Sequence, residues 1–276
     1  MMLRRTCIMA GLFLTLLSTV FGCQDTEVGV QIVNVRPFDS DNCQASDSED
    51  VFLVSGVVDI ALRDNYIINP VVRNNLSDVT QQKGLQASDA RLSTNGIVLK
   101  SAEIEYSPLD GIAGNIPQTR VIPLSGTVSE TASLILANFP LLEAEVMEAL
   151  RSSDTFFLID EGTARPKRTS VTLLTSVRIK GETLDGRLTE SEPFLFPVEV
   201  CNGCMVTYPS DLLEDRNGRL VCVSESPTGD ETTDSSTSPT CPGLVGIDGV
   251  TTNCLDCQGY AVNTFSRQLC QPLTLP

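Results

Sequence analysis

Hydrophobic and polar residues alternate along two neighbouring stretches in the middle of the chain, VTLLTSVRIK at 171–180 and FLFPVEV at 194–200. A period of two is typical of a β-strand that buries one face. Leu174 and Thr175 break the alternation. The residues on the hydrophobic face are Val171, Leu173, Val177, Ile179, Phe194, Phe196, Val198 and Val200. Between the stretches lies LDGR, whose Asp185 and Gly186 are typical of a turn. The pattern therefore predicts a β-hairpin.

Similar strand-like runs precede this hairpin. VVDIALR alternates hydrophobic and polar residues, and NYIINPVVRNNL is rich in β-branched residues, with Pro70 indicating a bulge or an edge strand. Asn95-Gly96, between RLST and IVLKSAEIEY, is a strong hairpin signal, and TRVIPLSGTVS is a further strand candidate. Together these runs predict a mostly β fold of roughly six to eight strands, an immunoglobulin-like two-sheet sandwich over residues 51–200.

One segment has a helical period. In FPLLEAEVMEALRSS the apolar residues recur three and four positions apart, and Pro140 lies near the predicted first turn. The residues of this apolar stripe are Leu142, Val146, Ala149 and Leu150. We expect a helix here to pack its stripe against the sandwich.

The N-terminal segment has the parts of a secretory signal: two arginines in MMLRR, the apolar run CIMAGLFLTLLST, and small residues up to Gly22. The run is shorter than the roughly 20 residues of a membrane-spanning helix. VFGC at its end resembles a bacterial lipobox, in which the cysteine receives a diacylglyceryl group. This predicts a lipoprotein signal peptide at 1–22, lipidation of Cys23 and a membrane-anchored location in the bacterial cell envelope. Gln24 favours the outer membrane, and an ordinary signal peptide with an incidental cysteine is the alternative.

The mature chain is strongly acidic. Loss of Arg4 and Arg5 with the signal leaves 17 of 19 basic residues against 35 acidic ones, a net charge near −18. Such a surface repels phosphate backbones, so nucleic acid is not an expected partner. Residues 23–50 are rich in Ser and Asp and are predicted to form a solvated acidic tether.

Calcium binding is the alternative for this acidic segment, because calcium prefers clustered oxygen ligands. The clustered carboxylates are those of Asp39, Asp41, Asp47, Glu49 and Asp50. The segment lacks the ordered spacing and the turn glycine of a known calcium loop, so the tether is the favoured interpretation.

The chain contains no histidine. Ser-His-Asp and Cys-His catalysis are therefore excluded, as is any metal site that needs an imidazole. Acidic pairs such as Glu145 with Glu148, or Asp160 with Glu161, are typical of solvated faces. No glycine-rich loop is followed by the Lys-Ser or Lys-Thr that phosphate binding requires. The sequence predicts that the protein is not an enzyme, and it indicates no cofactor and no metal site.

Eight of the ten cysteines remain once Cys7 leaves with the signal and Cys23 is lipidated. They are Cys43, Cys201, Cys204, Cys222, Cys241, Cys254, Cys257 and Cys270. An even number in an exported protein predicts disulfide bonds, and eight cysteines allow about 105 pairings. Because seven lie beyond residue 200, we expect a small disulfide-rich module at 201–276 with a low-complexity linker at 224–240. Cys43 lies before the predicted sandwich, so pairing of Cys43 forward into this module would tie the two ends of the sandwich together.

Two CxxC motifs, CNGC at 201–204 and CLDC at 254–257, allow two further interpretations. A four-thiolate zinc site is one, although 49 residues separate the motifs, beyond the usual spacing. A redox pair is the other, but it requires a cysteine at a helix N-terminus, whereas CNGC continues the strand-like FLFPVEV. Structural disulfides are the favoured interpretation in an oxidising compartment.

The order of these features resembles that of predicted lipoproteins from myxobacteria and their relatives. The matching elements are VFGC, a β-rich domain with NPVVRNNL, the run FLFPVEVCNGC, and a CPG segment followed by further cysteines. The most distinctive of them is FPVxVCxGC. The resemblance implies an exported, anchored, β-rich protein, and it carries no activity and no catalytic residue to this chain.

Three classes of function remain. The favoured one is a non-catalytic envelope lipoprotein with a structural or protein-interaction role, whose loops and edge strands meet an envelope protein or a surface ligand. The alternative is an extracytoplasmic module that binds a ligand or calcium. A carboxylate enzyme acting on cell-wall sugar is the third class, and it would need two acids facing each other at roughly 5 to 9 Å.

Overall fold

The computed structural model describes the chain in separate ranges, which are 29–39, 41–76, 94–109, 116–153, 156, 159–160, 165–166, 169–207, 213–214, 220–221, 241–262, 267 and 270. Several predictions fall outside these ranges: the signal peptide at 1–22, the lipidation of Cys23, Cys222 as a disulfide partner, and the linker at 224–240. The strand expected before Asn95-Gly96 also lies outside them.

The described elements follow one another in a mostly β order. The strands are β1 (Val30–Arg36), β2 (Gly56–Asp59), β3 (Tyr66–Asn74), β4 (Ile97–Pro108), β5 (Thr119–Pro123), β6 (Thr127–Val128), β7 (Ser133–Ile135), β8 (Phe139–Leu142), β9 (Ile159–Asp160), β10 (Arg165–Pro166), β11 (Ser170–Thr183), β12 (Leu188–Glu190), β13 (Phe194–Cys201), β14 (Val206–Thr207), β15 (Leu213–Glu214), β16 (Leu220–Val221) and β17 (Thr252–Asn253). The helices are α1 (Ala144–Arg151) and α2 (Cys254–Tyr260), with a short 3₁₀ turn at Pro242–Leu244.

Two sheets form the main body. The larger has the order β2-β13-β11-β4-β5, with β12 beside β11 and β6 beside β4; the smaller has the order β1-β3-β7, with β8 beside β3. Buried residues from both sheets belong to one hydrophobic core. The predicted fold class, a mostly β two-sheet body with a helix and a cysteine-rich C-terminal part, is confirmed. The strands outnumber the roughly six to eight expected, because short pieces such as β6 and β12 carry no periodic signal of their own.

The central hairpin is formed as the alternation predicts. β11 and β13 are antiparallel, with a continuous register from Ser170 opposite Cys201 to Val177 opposite Phe194. Every second residue of β11 is buried, from Val171 onward, because one face of this strand meets the core.

The helix is shorter than the sequence predicts. Its first four predicted residues form β8 instead, in which Phe139 pairs with Ile68 and Pro140 with Ile67. An edge position tolerates the proline, which has no N–H to donate, and so tertiary pairing overrides the helical period here. The helix α1 then begins at Ala144 and buries Val146, Met147 and Leu150.

The predicted tether is wrong for its middle part. Residues 30–36 form β1, which pairs with β3 in the smaller sheet and buries Val30, Ile32 and Val35. The Ser- and Asp-rich composition that suggested a tether belongs mainly to the residues that follow β1. The sandwich therefore begins at Val30 and not at residue 51.

The residues that follow β13, together with Leu62 from the loop between β2 and β3, build a second, smaller core. Its buried residues are Leu62, Met205, Val206, Val245, Cys254, Cys257 and Cys270. The short strands β14 and β17 pair in parallel beside it, and α2 follows β17 directly. We call residues 202–207 and 241–262 the C-terminal module. Among the helices that the structure describes, none combines the length and apolar character needed to cross a bilayer.

Strand directions give the sandwich two ends. At one end the N–H of Asn75 donates to the carbonyl of Gly29, Asn74 bonds to the carbonyl of Asn95, and the turn after β11 lies beside them. We call this set, residues 29, 74–76, 94–97 and 183–189, the Gly29 end. At the other end, which we call the module end, the C-terminal module meets the residues between β2 and β3.

Candidate functional site

The C-terminal module continues the larger sheet beyond its outer strand. β2 is the last strand on that side, and Val58 in it forms a bridge with Ile247 of the module. The N–H of Asp59 donates to the carbonyl of Gly246 at 2.8 Å. The module thus covers an edge whose backbone groups would otherwise be open to another strand.

A buried carboxylate fastens the CNGC loop to this edge. Asp59 has no exposed surface. Its Oδ1 accepts hydrogen bonds from the N–H groups of Ala61 at 2.9 Å and Gly203 at 2.8 Å. Its Oδ2 accepts one from the N–H of Met205 at 2.9 Å. Bonds from backbone amides to a carboxylate are among the strong ones, so Asp59 holds the loop after β13 firmly in place.

The same residue belongs to the one group in the described ranges whose ligand atoms are close enough for a metal ion. Asp59, Cys201 and Cys204 place these atoms within 4.8 Å of one another. The two sulfur atoms are bonded to each other, so they are not thiolates, and the carboxylate already accepts three amide hydrogens. The arrangement supports a structural clamp rather than a zinc site.

The described cysteines are joined in disulfides across the module. The pairs are Cys43 with Cys241, Cys201 with Cys204, and Cys257 with Cys270, with Cα–Cα distances of 5.5, 5.9 and 5.5 Å. Cys254 is disulfide-bonded as well. The forward pairing of Cys43 proposed from the sequence is thus the one that the structure contains, across a separation of 198 residues.

A buried tyrosine makes a second link between the sandwich and the module. The hydroxyl of Tyr66, which has no exposed surface, donates to Oδ1 of Asp248 at 2.9 Å, and the N–H of Val57 donates to the same oxygen at 2.9 Å. Burial raises the pKa of the Asp248 carboxyl. Burial, and then the charge of Asp248, raise the pKa of Tyr66 well above its usual value. A Cβ atom at Gly56 would lie 1.8 Å from the Tyr66 hydroxyl, so only glycine fits at that position.

The end of α1 holds the loop between β2 and β3. Arg151 donates from Nε to the carbonyl of Ile60 at 3.0 Å and from Nη2 to the carbonyl of Arg63. Its Nη1 also forms an ion pair with Glu148 at 3.0 Å. This loop lies between the helix and the module, and Arg151 fixes its course from the helix side.

Of the acidic residues considered in pairs from the sequence, Glu145 and Glu148 occupy exposed positions. Glu145 forms an ion pair with Arg120, and Glu148 pairs with Arg151. Asp160 lies in β9, and Glu161 is outside the described residues. The two glutamates therefore hold arginines, as residues of a solvated face commonly do.

The acidic segment after β1 uses part of its charge locally. Asp39 accepts hydrogen bonds from the N–H of Asp41 at 2.9 Å and from the side-chain amide of Asn42 at 3.0 Å. Within the described part of this segment, no three acidic side chains bring their oxygens as close together as a metal site needs. The structure adds no support for the calcium alternative.

A short apolar run follows this acidic segment and is exposed. The exposed fraction is 50% for Val51, 55% for Phe52 and 73% for Val54. Leu53 between them is anchored, because its N–H donates to the carbonyl of Val35 at 2.8 Å. We call residues 51–54 the apolar strip.

Comparisons with known proteins add little. No protein-family model matches the chain, and no curated protein matches it either. Among solved structures, the solution structure of a protein described as late embryogenesis abundant aligns with a TM-score of 0.28 and 10% identity, covering 72% of this chain and 83% of that one. A similarity this low supports no conclusion about function.

Sequence reasoning missed Asp59, Tyr66 and Asp248. Tyr66 and Asp248 are 182 residues apart, and Asp59 and Met205 are 146 apart. No local pattern marks a residue whose partner is so distant. The only sequence signal nearby is the Asp-Gly pair at Asp248, which is typical of a turn and says nothing about a buried tyrosine.

Proposed function

We propose that this chain is a non-catalytic lipoprotein of the bacterial cell envelope, anchored in the outer membrane through Cys23, that presents a binding surface to a protein partner. The observation that carries the proposal is that the two ends of the ectodomain are occupied by different parts of the chain. The described chain enters the sandwich at Gly29, whereas the crosslinked module lies at the opposite end. An anchor at the start of the chain would leave the module end facing away from the bilayer.

The apolar strip is the surface that supports a binding role. It is attached to Val35, five residues along β1 from Val30, which corresponds to about 17 Å from the Gly29 end. Leu53 is held by Val35, and the carbonyl of Val51 accepts a hydrogen bond from Arg36 at 3.4 Å. A strip ordered before binding loses less conformational entropy when a partner covers it.

The chemistry of the strip indicates the kind of partner. Exposed Phe52 and Val54 offer an apolar centre, and the acidic residues within 47–50 adjoin it in the chain. Interfaces commonly combine an apolar centre with a charged rim. A protein surface with an apolar pocket and basic residues around it would complement this arrangement in both shape and charge.

The anchor is tested first with the variant Cys23→Ser. We expect this variant to leave the membrane fraction of the producing cells, because it lacks the acyl chains that make attachment lasting. Cys7→Ser is the matched control, since Cys7 is removed with the predicted signal. Mass spectrometry of the mature N-terminus checks the acylation. Membrane retention of Cys23→Ser equal to that of Cys7→Ser would contradict the anchor.

The binding surface is tested by photo-crosslinking in the envelope. A photo-reactive residue at position 52 should give a discrete crosslinked protein, whereas one at position 195 should not. The comparison is matched, because Phe52 is 55% exposed and Leu195, on the outer face of β13, is 58% exposed. The same products from both positions would show that the strip is not a specific surface.

A further inference from the structure

A second exposed apolar feature lies at the Gly29 end, in the turn between β11 and β12. Leu184 is 58% exposed and Leu188 is 86% exposed, the highest value among the large hydrophobic residues of the described chain. The two leucines flank the turn residues Asp185 and Gly186. Single exposed leucines are ordinary on a protein surface, but two on one turn at the end of a sandwich form a protruding apolar tip.

This tip is held in place by hydrogen bonds. The N–H of Thr183 donates to the carbonyl of Arg187 at 2.8 Å, and the N–H of Leu184 donates to the carbonyl of Gly96 at 3.0 Å. The guanidinium of Arg187 donates to the side-chain carbonyl of Asn95 at 3.1 Å. These bonds fix the backbone of the turn on both sides; Leu184 lies beside Gly96 and is half exposed, and Leu188 is almost fully exposed.

The start of the described chain lies directly beside the same tip. A Cβ atom at Gly29 would lie 2.6 Å from the hydroxyl oxygen of Thr189, the residue after Leu188. Cys23 precedes Gly29 by six residues, which span at most about 20 Å when fully extended. A lipid on Cys23 would therefore hold the tip within that distance of the bilayer surface.

We propose that the β11–β12 turn is a membrane-contact element, in which Leu184 and Leu188 insert into the interfacial region of the bilayer that carries the anchor. The inference rests on the proposed lipid anchor. It fixes the orientation of the ectodomain, with the sandwich standing on the Gly29 end and the module away from the lipid.

The contact is apolar and not electrostatic. Arg187, the basic residue of the turn, forms an ion pair with Asp185 at 2.9 Å, so the turn offers little net positive charge. The whole chain carries a net charge of −16, which disfavours attraction to anionic headgroups. Contact should therefore persist at high salt and in vesicles without anionic lipid, unlike that of a basic surface segment.

The absence of tryptophan from the chain allows a direct test. The acylated mature protein, beginning at Cys23, is reconstituted into phosphatidylethanolamine–phosphatidylcholine vesicles as Leu188→Trp, with Phe52→Trp as the control. We expect the emission of Leu188→Trp to shift to shorter wavelength and to be quenched by brominated acyl chains. Phe52→Trp should keep the emission of a solvent-exposed indole.

The outcomes separate this inference from the proposed function. Flotation of the protein with the vesicles, together with unshifted and unquenched emission from Leu188→Trp, overturns the contact and leaves the anchor standing. Protein that carries no acyl group and does not float overturns both. A blue shift of Leu188→Trp that appears without vesicles and grows with protein concentration would instead assign the tip to self-association and overturn the membrane contact.

Discussion

The sandwich and the C-terminal module are stabilised in different ways. The sandwich buries a continuous core drawn from both sheets, including large side chains such as Phe196 and Tyr66. The second core has seven buried residues in the described chain, of which three are cysteines and one, Leu62, comes from the loop between β2 and β3. Hydrophobic burial is roughly proportional to area, so the sandwich can fold on its core, while a small module needs covalent links.

The difference also explains where the polar contacts are concentrated. The module is fastened to the sandwich by the disulfide of Cys43 with Cys241, by the carboxylate of Asp59, and by the hydrogen bond of Tyr66 to Asp248. Each joins residues far apart in the chain. The module is therefore better regarded as an attachment that closes the β2 edge than as an independent domain.

The largest effect is expected from the sandwich core. Phe196→Ala should lower the free energy of unfolding by about 3 to 5 kcal/mol, because it removes a fully buried ring from between the sheets. Leu195→Ala is the matched control, since the neighbouring side chain is 58% exposed and its loss should change stability by about 0.5 kcal/mol or less. Chemical denaturation of both variants measures the difference, and equal losses would refute the assigned burial.

The next effect is expected from the long-range disulfide. Replacing Cys43 and Cys241 together by serine should lower the free energy of unfolding by about 2 to 4 kcal/mol, because the bond closes a long loop in the unfolded chain. Proteolysis should then cut within 241–262 before the sandwich strands. The double serine variant of Cys201 and Cys204, which are three residues apart, should lose less stability and be cut more slowly in the module. Simultaneous loss of sandwich and module would mean that they are not distinct in stability.

The next effect, a loss of about 2 to 3 kcal/mol in the free energy of local opening, is expected where the Asp59 carboxylate fastens the CNGC loop. Asp59→Ala leaves the N–H groups of Gly203 and Met205 buried without their acceptor. Hydrogen exchange should accelerate at residues 203–206 and 246–248, with little change in β11. Asp64→Ala, at an exposed position in the following loop, should leave exchange unaltered. Unchanged protection in Asp59→Ala would show that the carboxylate is not what holds the loop.

The smallest effect is a pH dependence at the tyrosine link. Burial raises the pKa of Asp248 above that of an unfolded aspartate, so the folded state binds this proton more tightly. The contribution of Asp248 to the free energy of unfolding is greatest below the pKa of an unfolded aspartate. It is lost as the pH rises through the raised pKa of the folded state. The stability difference between the native protein and Asp248→Asn should change across that window and then level off. An equal profile for Asp64→Asn, at an exposed position, would remove Asp248 as the cause.

Much of the sandwich could be predicted because its strands carry their own signal. Every second residue of β11 is buried, as are Phe196, Val198 and Val200 of β13, and the letters show this period except at Leu174 and at the buried Thr175. β8 was missed because a proline followed by apolar residues reads equally well as a helix start, and only pairing with β3 decides between the two. β1 was missed because the residues after it are rich in Ser and Asp. That composition favoured a tether for the whole of 23–50, although 30–36 pair with β3.

The sequence by itself determined the mostly β class, the absence of histidine chemistry, and the set of cysteines available for crosslinks, because periodicity and composition are properties of the linear chain. Only the tertiary structure decided which cysteine meets which, that Asp59 and Asp248 are the residues that fasten the module, and that the chain enters beside the exposed turn of Leu184 and Leu188. The physical reason for the links between sandwich and module is sequence distance, since the Cys43–Cys241 disulfide and the contacts of Asp59 and Asp248 join residues well over one hundred positions apart and leave no local pattern behind.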